Sequence, residues 1–192
     1  MPVAETASTF NEVLTVSAAI DAAESDDEKL ALIESQLSDA CQIICDIYSR
    51  YLFESAVFAA RPEEFLDPDR LCQMMLEAQK KAYGDGLDQT CLHPYMWLCK
   101  GHYYSGGLSF YNFPYAFGGL FARGLYARYQ REGAAFVPKY KKLLRTTTVA
   151  TAEDVAQVAG IDLTDKEFWR SALQTVAQQI DLVCGLLEGG NQ

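Results

Sequence analysis

The chain has 192 residues, 49% of them hydrophobic, and a net charge of −10. The length suits one domain, and the apolar fraction is enough for a packed core, which excludes a disordered chain. The acidic balance argues against nucleic acid as a partner, because phosphate binding needs clustered Lys and Arg.

Helical periodicity dominates from end to end, and no segment reads as a strand, a repeat or a linker. The expected fold class is therefore all-α, one multi-helix domain over residues 1–192. Residues 4–22 read as a helix with Ala7, Phe10, Leu14 and Val16 toward its buried side. Ser25 followed by Glu28 forms a capping box, so a second helix is expected from Asp26. Apolar residues at spacings of three and four then run from Leu30 to Val57, and Pro62 stops them because proline cannot donate a backbone hydrogen bond. This predicts one helix over 26–61, the longest element, about 50 Å at 1.5 Å per residue.

Asp67-Pro68 supplies a cap and a first-turn proline for a helix to about Tyr83, and Gly84-Asp85-Gly86 makes a turn. A short helix near 94–99 leads into a stretch rich in glycine and aromatic residues. A helix is expected over about 109–131, broken at Gly133, followed by a short one to about Leu144. Thr151 with Asp154 caps a small helix that ends at Gly160. Thr164 with Glu167 reads as a second capping box, opening a last helix to about Leu187. The tail Gly189–Gln192 is expected to fray.

No stretch is long and apolar enough to span a bilayer. The opening Met1-Pro2-Val3-Ala4-Glu5 has neither the basic nor the apolar region of a secretion signal. The six cysteines, Cys41, Cys45, Cys72, Cys91, Cys99 and Cys184, form no Cys-x-x-Cys pair. In a cytoplasmic protein they are expected to be reduced and mostly buried. Lys139, Lys141, Lys142 and Arg145 read as a solvated helix face.

Two segments could carry chemistry. In Glu5-Thr6-Ala7-Ser8-Thr9-Phe10-Asn11-Glu12 the two glutamates are seven apart, within roughly 20° of each other on one helix face. Two carboxylates in a polar stripe suit a metal or acid–base site, and they equally suit a solvated surface. The second segment runs from Gly101 to Gly118. It holds His102, Tyr103, Tyr104, Tyr111 and Tyr115 beside Gly106-Gly107. Phenol and imidazole donors of this kind can stabilise an oxyanion or hold a peptide backbone, and they can also be an aromatic core with satisfied hydroxyls. Only His93 and His102 are present, nine apart, so no His-Glu-x-x-His is possible. His93, ahead of Pro94, reads as structural.

Ala4–Glu12, His102-Tyr103-Tyr104 and Leu108-Ser109-Phe110-Tyr111-Asn112-Phe113-Pro114-Tyr115-Ala116-Phe117-Gly118 resemble oligoendopeptidase F, a group of the thimet oligopeptidase superfamily of zinc metallopeptidases. The resemblance extends to Phe168-Trp169 in the last helix. It implies a helical peptidase with a substrate channel, in which zinc is held by two histidines of a His-Glu-x-x-His helix and one later glutamate. Glu5 matches that glutamate, and Glu12 matches a supporting acidic position. His102 matches the substrate-proximal histidine. Tyr111 and Tyr115 fall where the family places its oxyanion-stabilising and substrate-binding tyrosines, with Tyr104 a third candidate. Gly106 stands where many relatives have proline.

The His-Glu-x-x-His segment and its general base are absent. The resemblance therefore implies the C-terminal part of a catalytic domain, acting on oligopeptides only when an upstream half completes it. The chain alone is expected to be inactive and to bind no zinc, since one carboxylate cannot hold a catalytic ion. An uncovered apolar side would favour a homo-oligomer. The alternative is a non-catalytic helical domain that binds peptides or self-associates.

Overall fold

The computed structural model describes residues 3–189. They are all-helical, with no strand among them. None of the described helices is long and apolar enough to cross a membrane. The chain divides into two compact units, Met1–Ala40 with Phe117–Gln192, and Cys41–Ala116.

In the first unit, α1 spans Thr6–Ala22 and α2 spans Asp26–Cys41. The capping box forms as expected: the Glu28 N–H donates to Ser25 Oγ at 3.2 Å, while its carboxylate accepts from the Glu24 N–H at 3.0 Å. On α1 the buried residues are Thr6, Phe10 and Val13, whereas Ala7, Leu14 and Val16 are half-buried. Phe10 sets this phase. Its ring stacks on Tyr140 with centroids 4.2 Å apart and meets Tyr126 and Tyr129 edge-on.

The later helices of this unit complete its core. α5 spans Phe113–Glu132, and its residues from Phe117 on belong to this unit. Gly133 then turns the chain at φ 59°, a conformation that costs glycine little. α6 follows over Val137–Thr146, α7 over Ala152–Val158 and α8 over Lys166–Gly189. Phe121, Leu125, Phe136, Leu143, Val155 and Ala156 are fully buried and close the core around Phe10. The cap at Thr151 is present, accepting from the Asp154 N–H at 3.2 Å. The cap expected at Thr164 is not. Asp165 accepts from the Glu167 N–H at 2.9 Å, and Thr164 donates its hydroxyl and its N–H to Asp162 instead. A carboxylate two residues ahead displaces the hydroxyl because it offers an acceptor to both Thr164 donors. Of the tail expected to fray, residues 190–192 lie outside the described residues, and Gly189 ends α8.

The second unit begins where the expected long helix changes character. Gln42–Asp46 forms a π-helical turn, and α3 follows over Ile47–Ala60. Helical backbone thus runs from Asp26 to Ala60, but as two α-helices around a π-turn. The longest uninterrupted described helix is α8, with 24 residues. A π-turn bonds five residues back and admits one extra residue; from its end on, Asp46, Ile47, Ser49, Arg50, Phe53 and Glu54 are buried.

α4, Pro68–Tyr83, starts at the expected Asp67 cap, which accepts from the Arg70 N–H at 2.8 Å, and ends at Gly84 with φ 57°. It packs on α3 around Phe53, Met74, Met75 and Ala78. Two 3-10 turns, Met96–Cys99 and Gly101–Tyr104, precede α5. The thiols depart from expectation. All six are unpaired, with Cys41, Cys91, Cys99 and Cys184 exposed and Cys45 and Cys72 half-buried. The apolar core is filled instead by aromatic rings and Met74 and Met75. Lys139, Lys141, Lys142 and Arg145 are exposed, as expected.

Gly124 of α5 offers a test of the first unit's packing. A Cβ there would lie 2.4 Å from Phe168 Cζ. That ring is held by Phe121 at 5.7 Å and Trp169 at 5.1 Å, so it has little room to yield. Gly124→Ala should destabilise the protein by about 1–3 kcal/mol in urea denaturation, despite alanine's better helix propensity.

Candidate functional site

The candidate rings lie in the second unit, on the 3-10 turn Gly101–Tyr104 and the segment that enters α5. His102 sits in the turn Gly101–Tyr104. Tyr111 is the middle residue of a three-residue turn closed by the Asn112 N–H donating to the Phe110 carbonyl at 2.7 Å. Tyr115 lies one turn along, in the first turn of α5. The structure brings these three together. The His102 ring lies 5.3 Å from Tyr111 and 6.1 Å from Tyr115, and the two tyrosines meet edge-on at 5.5 Å. His102 also lines a cavity of about 600 Å³ with Glu54, Phe58, Arg61, Tyr103 and Ser109.

Tyr104 stands apart. The residue is 61% exposed and its hydroxyl donates to the Trp97 carbonyl at 3.3 Å. Tyr103 is used structurally. Its hydroxyl donates to the Arg50 carbonyl at 3.5 Å and its ring packs on Phe53. Burial pushes the Tyr103 hydroxyl well above the ordinary tyrosine range, and the charges of Glu54 and Asp46 add to this against that of Arg50. His93 is held by its backbone, which exchanges two hydrogen bonds with the Gln79 side chain.

Residues that periodicity did not flag hold the site in place. Glu54 of α3 is 6% exposed. Its Oε1 accepts from the Phe110 N–H at 2.6 Å and its Oε2 from Asn112 Nδ2 at 2.8 Å. Asn112 is buried too, and its Oδ1 accepts from the Phe113 N–H at the start of α5. Phe110 adopts φ 56°, the only non-glycine residue described at positive φ, which costs of order 1–3 kcal/mol. Its ring packs against Tyr51 and Phe58. Arg50, one turn back along α3, and Asp46, at the end of the π-turn, form a buried ion pair, and Lys100 approaches Asp46 to 4.0 Å. The signal available in the sequence was a helix face carrying Asp46, Arg50 and Glu54 at i, i+4 and i+8, charged where the apolar line should continue.

Glu5 belongs to the first unit, just ahead of α1. Its carboxylate and its carbonyl both accept from the Ser8 hydroxyl, at 3.3 and 3.0 Å. Glu12 is exposed. With Asp39 it acts on the buried Arg123 guanidinium: burial lowers the Arg123 pKa below its ordinary value, and the two carboxylates oppose that shift. No three His, Cys, Asp or Glu side chains converge to hold a metal among the described residues. Glu5 therefore does not fit a complete zinc site with the residues described here.

The chain is similar to oligopeptidase PepF of Bacillus subtilis (strain 168), 26% identical over 188 residues. The match takes in 93% of this chain and 26% of the relative, so the chain spans about a quarter of that protein's length. No protein-family model and no solved structure matches it.

Two outcomes follow from the charges beneath the site. Asp46→Ala leaves Arg50 buried without its carboxylate and should cost about 3 kcal/mol in urea denaturation, more than a surface ion pair. Burial, aided by Asp46, Cys41 and Cys45, raises the Tyr83 hydroxyl to about 12. A group protonated longer in the folded state loses its contribution as pH rises from about 10, its unfolded value, through its folded pKa. Tyr83→Phe should therefore remove one tyrosine from the late phase of an ultraviolet titration and lessen the loss of stability above about pH 10.

Proposed function

We propose that this chain is the C-terminal part of an oligopeptidase catalytic domain, contributing to a zinc peptidase that hydrolyses oligopeptides. The observation that carries the reading is the convergence of His102, Tyr111 and Tyr115, with His102 lining a cavity large enough for a peptide side chain. The similarity to oligopeptidase PepF along nearly the whole chain supports it. In this reading His102 orients the substrate, and the hydroxyl of Tyr111 or Tyr115 donates to the oxyanion formed as water adds to the peptide carbonyl. Tyr104, exposed beside the same turn, contacts substrate farther out. Glu5 is one metal ligand, completed by the histidines of a His-Glu-x-x-His segment carried by another half, and that segment supplies the general base. The setting is cytoplasmic, without nucleic acid or membrane.

A second reading has one observation in its favour. Leu173, Ile180 and Leu182 of α8 and Tyr48 and Phe58 of α3 are all more than 40% exposed. Apolar surface of this kind suits self-association, with or without catalysis. Light scattering across a concentration series separates a homo-oligomer from a monomer.

Joining the chain to a segment that carries His-Glu-x-x-His tests the first reading. Zinc-dependent hydrolysis of a fluorogenic oligopeptide is expected. Glu5→Gln should sharply weaken zinc retention, because an amide is a poorer ligand than a carboxylate. Tyr111→Phe or Tyr115→Phe should keep zinc and lower kcat on the order of a hundredfold with little change in KM, as for loss of an oxyanion donor. Full activity in both phenylalanine variants and in His102→Ala would leave the cluster as an aromatic core only.

A further inference from the structure

We propose that Glu54 is a positioning residue whose single carboxylate clamps both chain neighbours of Tyr111 and thereby sets the His102–Tyr111–Tyr115 cluster. Its consequence for substrate rests on the function proposed above, but its structural claim does not. The argument is one of geometry. Oε1 takes the Phe110 N–H and Oε2 takes the Asn112 side-chain amide, so Tyr111 is bracketed by two bonds to one group. Tyr111 is also the apex of the tight turn whose ends are Phe110 and Asn112. In the turn just before it, closed by the Tyr111 N–H donating to the Leu108 carbonyl at 3.0 Å, Phe110 holds φ 56°, a conformation that side-chain-bearing residues rarely adopt without external support. Glu54 supplies that support from α3, an element fixed by its packing on α4. Asn112 passes the constraint on, since its Oδ1 takes the Phe113 N–H and so sets where α5, and with it Tyr115, begins.

The polarity of the clamp is fixed as well. Asn112 cannot turn its amide over without losing the Phe113 N–H, so the atom facing Glu54 must be a donor and Glu54 must accept at both oxygens. Glutamine at position 54 would accept at one oxygen only and set its own amide hydrogens against those of Asn112. Exchanging both polarities, with glutamine at 54 and aspartate at 112, would restore every bond: the amide of residue 54 would donate to the carboxylate of residue 112, and the same carboxylate would still accept from Phe113.

The experiment is proton NMR of the full chain, with the His102 ring signals assigned by comparison with His93→Gln. In the unaltered protein, cross-relaxation is expected between the His102 ring and the Tyr111 and Tyr115 rings. Glu54→Gln should abolish the His102–Tyr111 cross-peak and move the His102 ring signals toward those of an exposed histidine, with helix content unchanged by circular dichroism. The double variant Glu54→Gln with Asn112→Asp should bring the cross-peak back. Should Glu54→Gln unfold the chain, the double variant still decides, because the proposal requires it to restore both the fold and the cross-peak. A cross-peak that survives Glu54→Gln unchanged, or a double variant that fails to restore it, would overturn the clamp. Restoration in the double variant alongside a joined enzyme that never cleaves peptides would sink the proposed function and leave Glu54's role standing.

Discussion

Everything in the candidate site hangs on one buried acceptor. A carboxylate with 6% exposure must find donors, and Glu54 finds them on a segment more than fifty residues away in sequence. Those two bonds join α3 to the turn at Tyr111 and, through Asn112, to the first turn of α5. Remove the acceptor and the half-buried Phe110 N–H and the buried Asn112 amide lose their partner, the buried one at about 1–3 kcal/mol. Within the segment, backbone bonds close the turns at Leu108–Tyr111 and Phe110–Asn112, but they do not tie it to α3. Phe110 packs on Tyr51 and Phe58, but aromatic contact is less directional than a short charge-assisted hydrogen bond.

The same face of α3 explains why polar groups are gathered there. Asp46, Arg50 and Glu54 follow one another at one-turn intervals from the end of the π-turn. Asp46 neutralises Arg50 and draws Lys100 near, and the Arg50 carbonyl receives the Tyr103 hydroxyl. These contacts anchor the 100–104 segment at Lys100 and Tyr103, on either side of His102, just as Glu54 anchors 110–113. The imidazole and the two phenols are thus placed by side chains that do not belong to the ring cluster. A helix presenting only leucines at these positions would leave both segments held by dispersion alone, which fixes distances less sharply than directional bonds.

Local chemistry made much of this legible from the residues alone. Asp67-Pro68, Ser25 with Glu28, Thr151 with Asp154, and glycines at 84, 133 and 160 mark boundaries that depend on neighbouring atoms, and these boundaries stand in the structure. The convergence of His102, Tyr111 and Tyr115 was foreshadowed by a tyrosine-rich run with glycines. The π-turn was not visible, because one inserted residue leaves a three-and-four spacing still looking like three and four. α5 starts at Phe113, four residues later than the periodicity predicts, because the Glu54 bonds to Phe110 and Asn112 are tertiary and nothing within 105–115 announces them. Thr164 reads as a cap, but Asp162 takes its hydroxyl and N–H, and Asp165 takes the Glu167 N–H that the cap would have served. Thiols suit a core by residue type, whereas Phe, Tyr and Met fill that volume here.

Glu5 poses a different kind of problem, because its meaning depends on groups beyond its own element. A carboxylate that accepts only from Ser8 one turn later is chemically ordinary, and it reads equally as a solvated helix start or as one corner of a metal site. What separates it from Glu12 is its surroundings. Glu12 is exposed and faces a cation already inside the protein, Arg123, whose burial would otherwise lower its charge stability. Neither glutamate belongs to a described ion pair, and Glu5 has no comparable effect on a buried cation. A carboxylate with no resident counter-charge keeps its full capacity for an incoming one, and a divalent ion is the counter-charge that exploits it best when further ligands converge. Of the two glutamates seven residues apart on one helix face, Glu12 already acts on an internal cation, and Glu5 is left as the better candidate ligand.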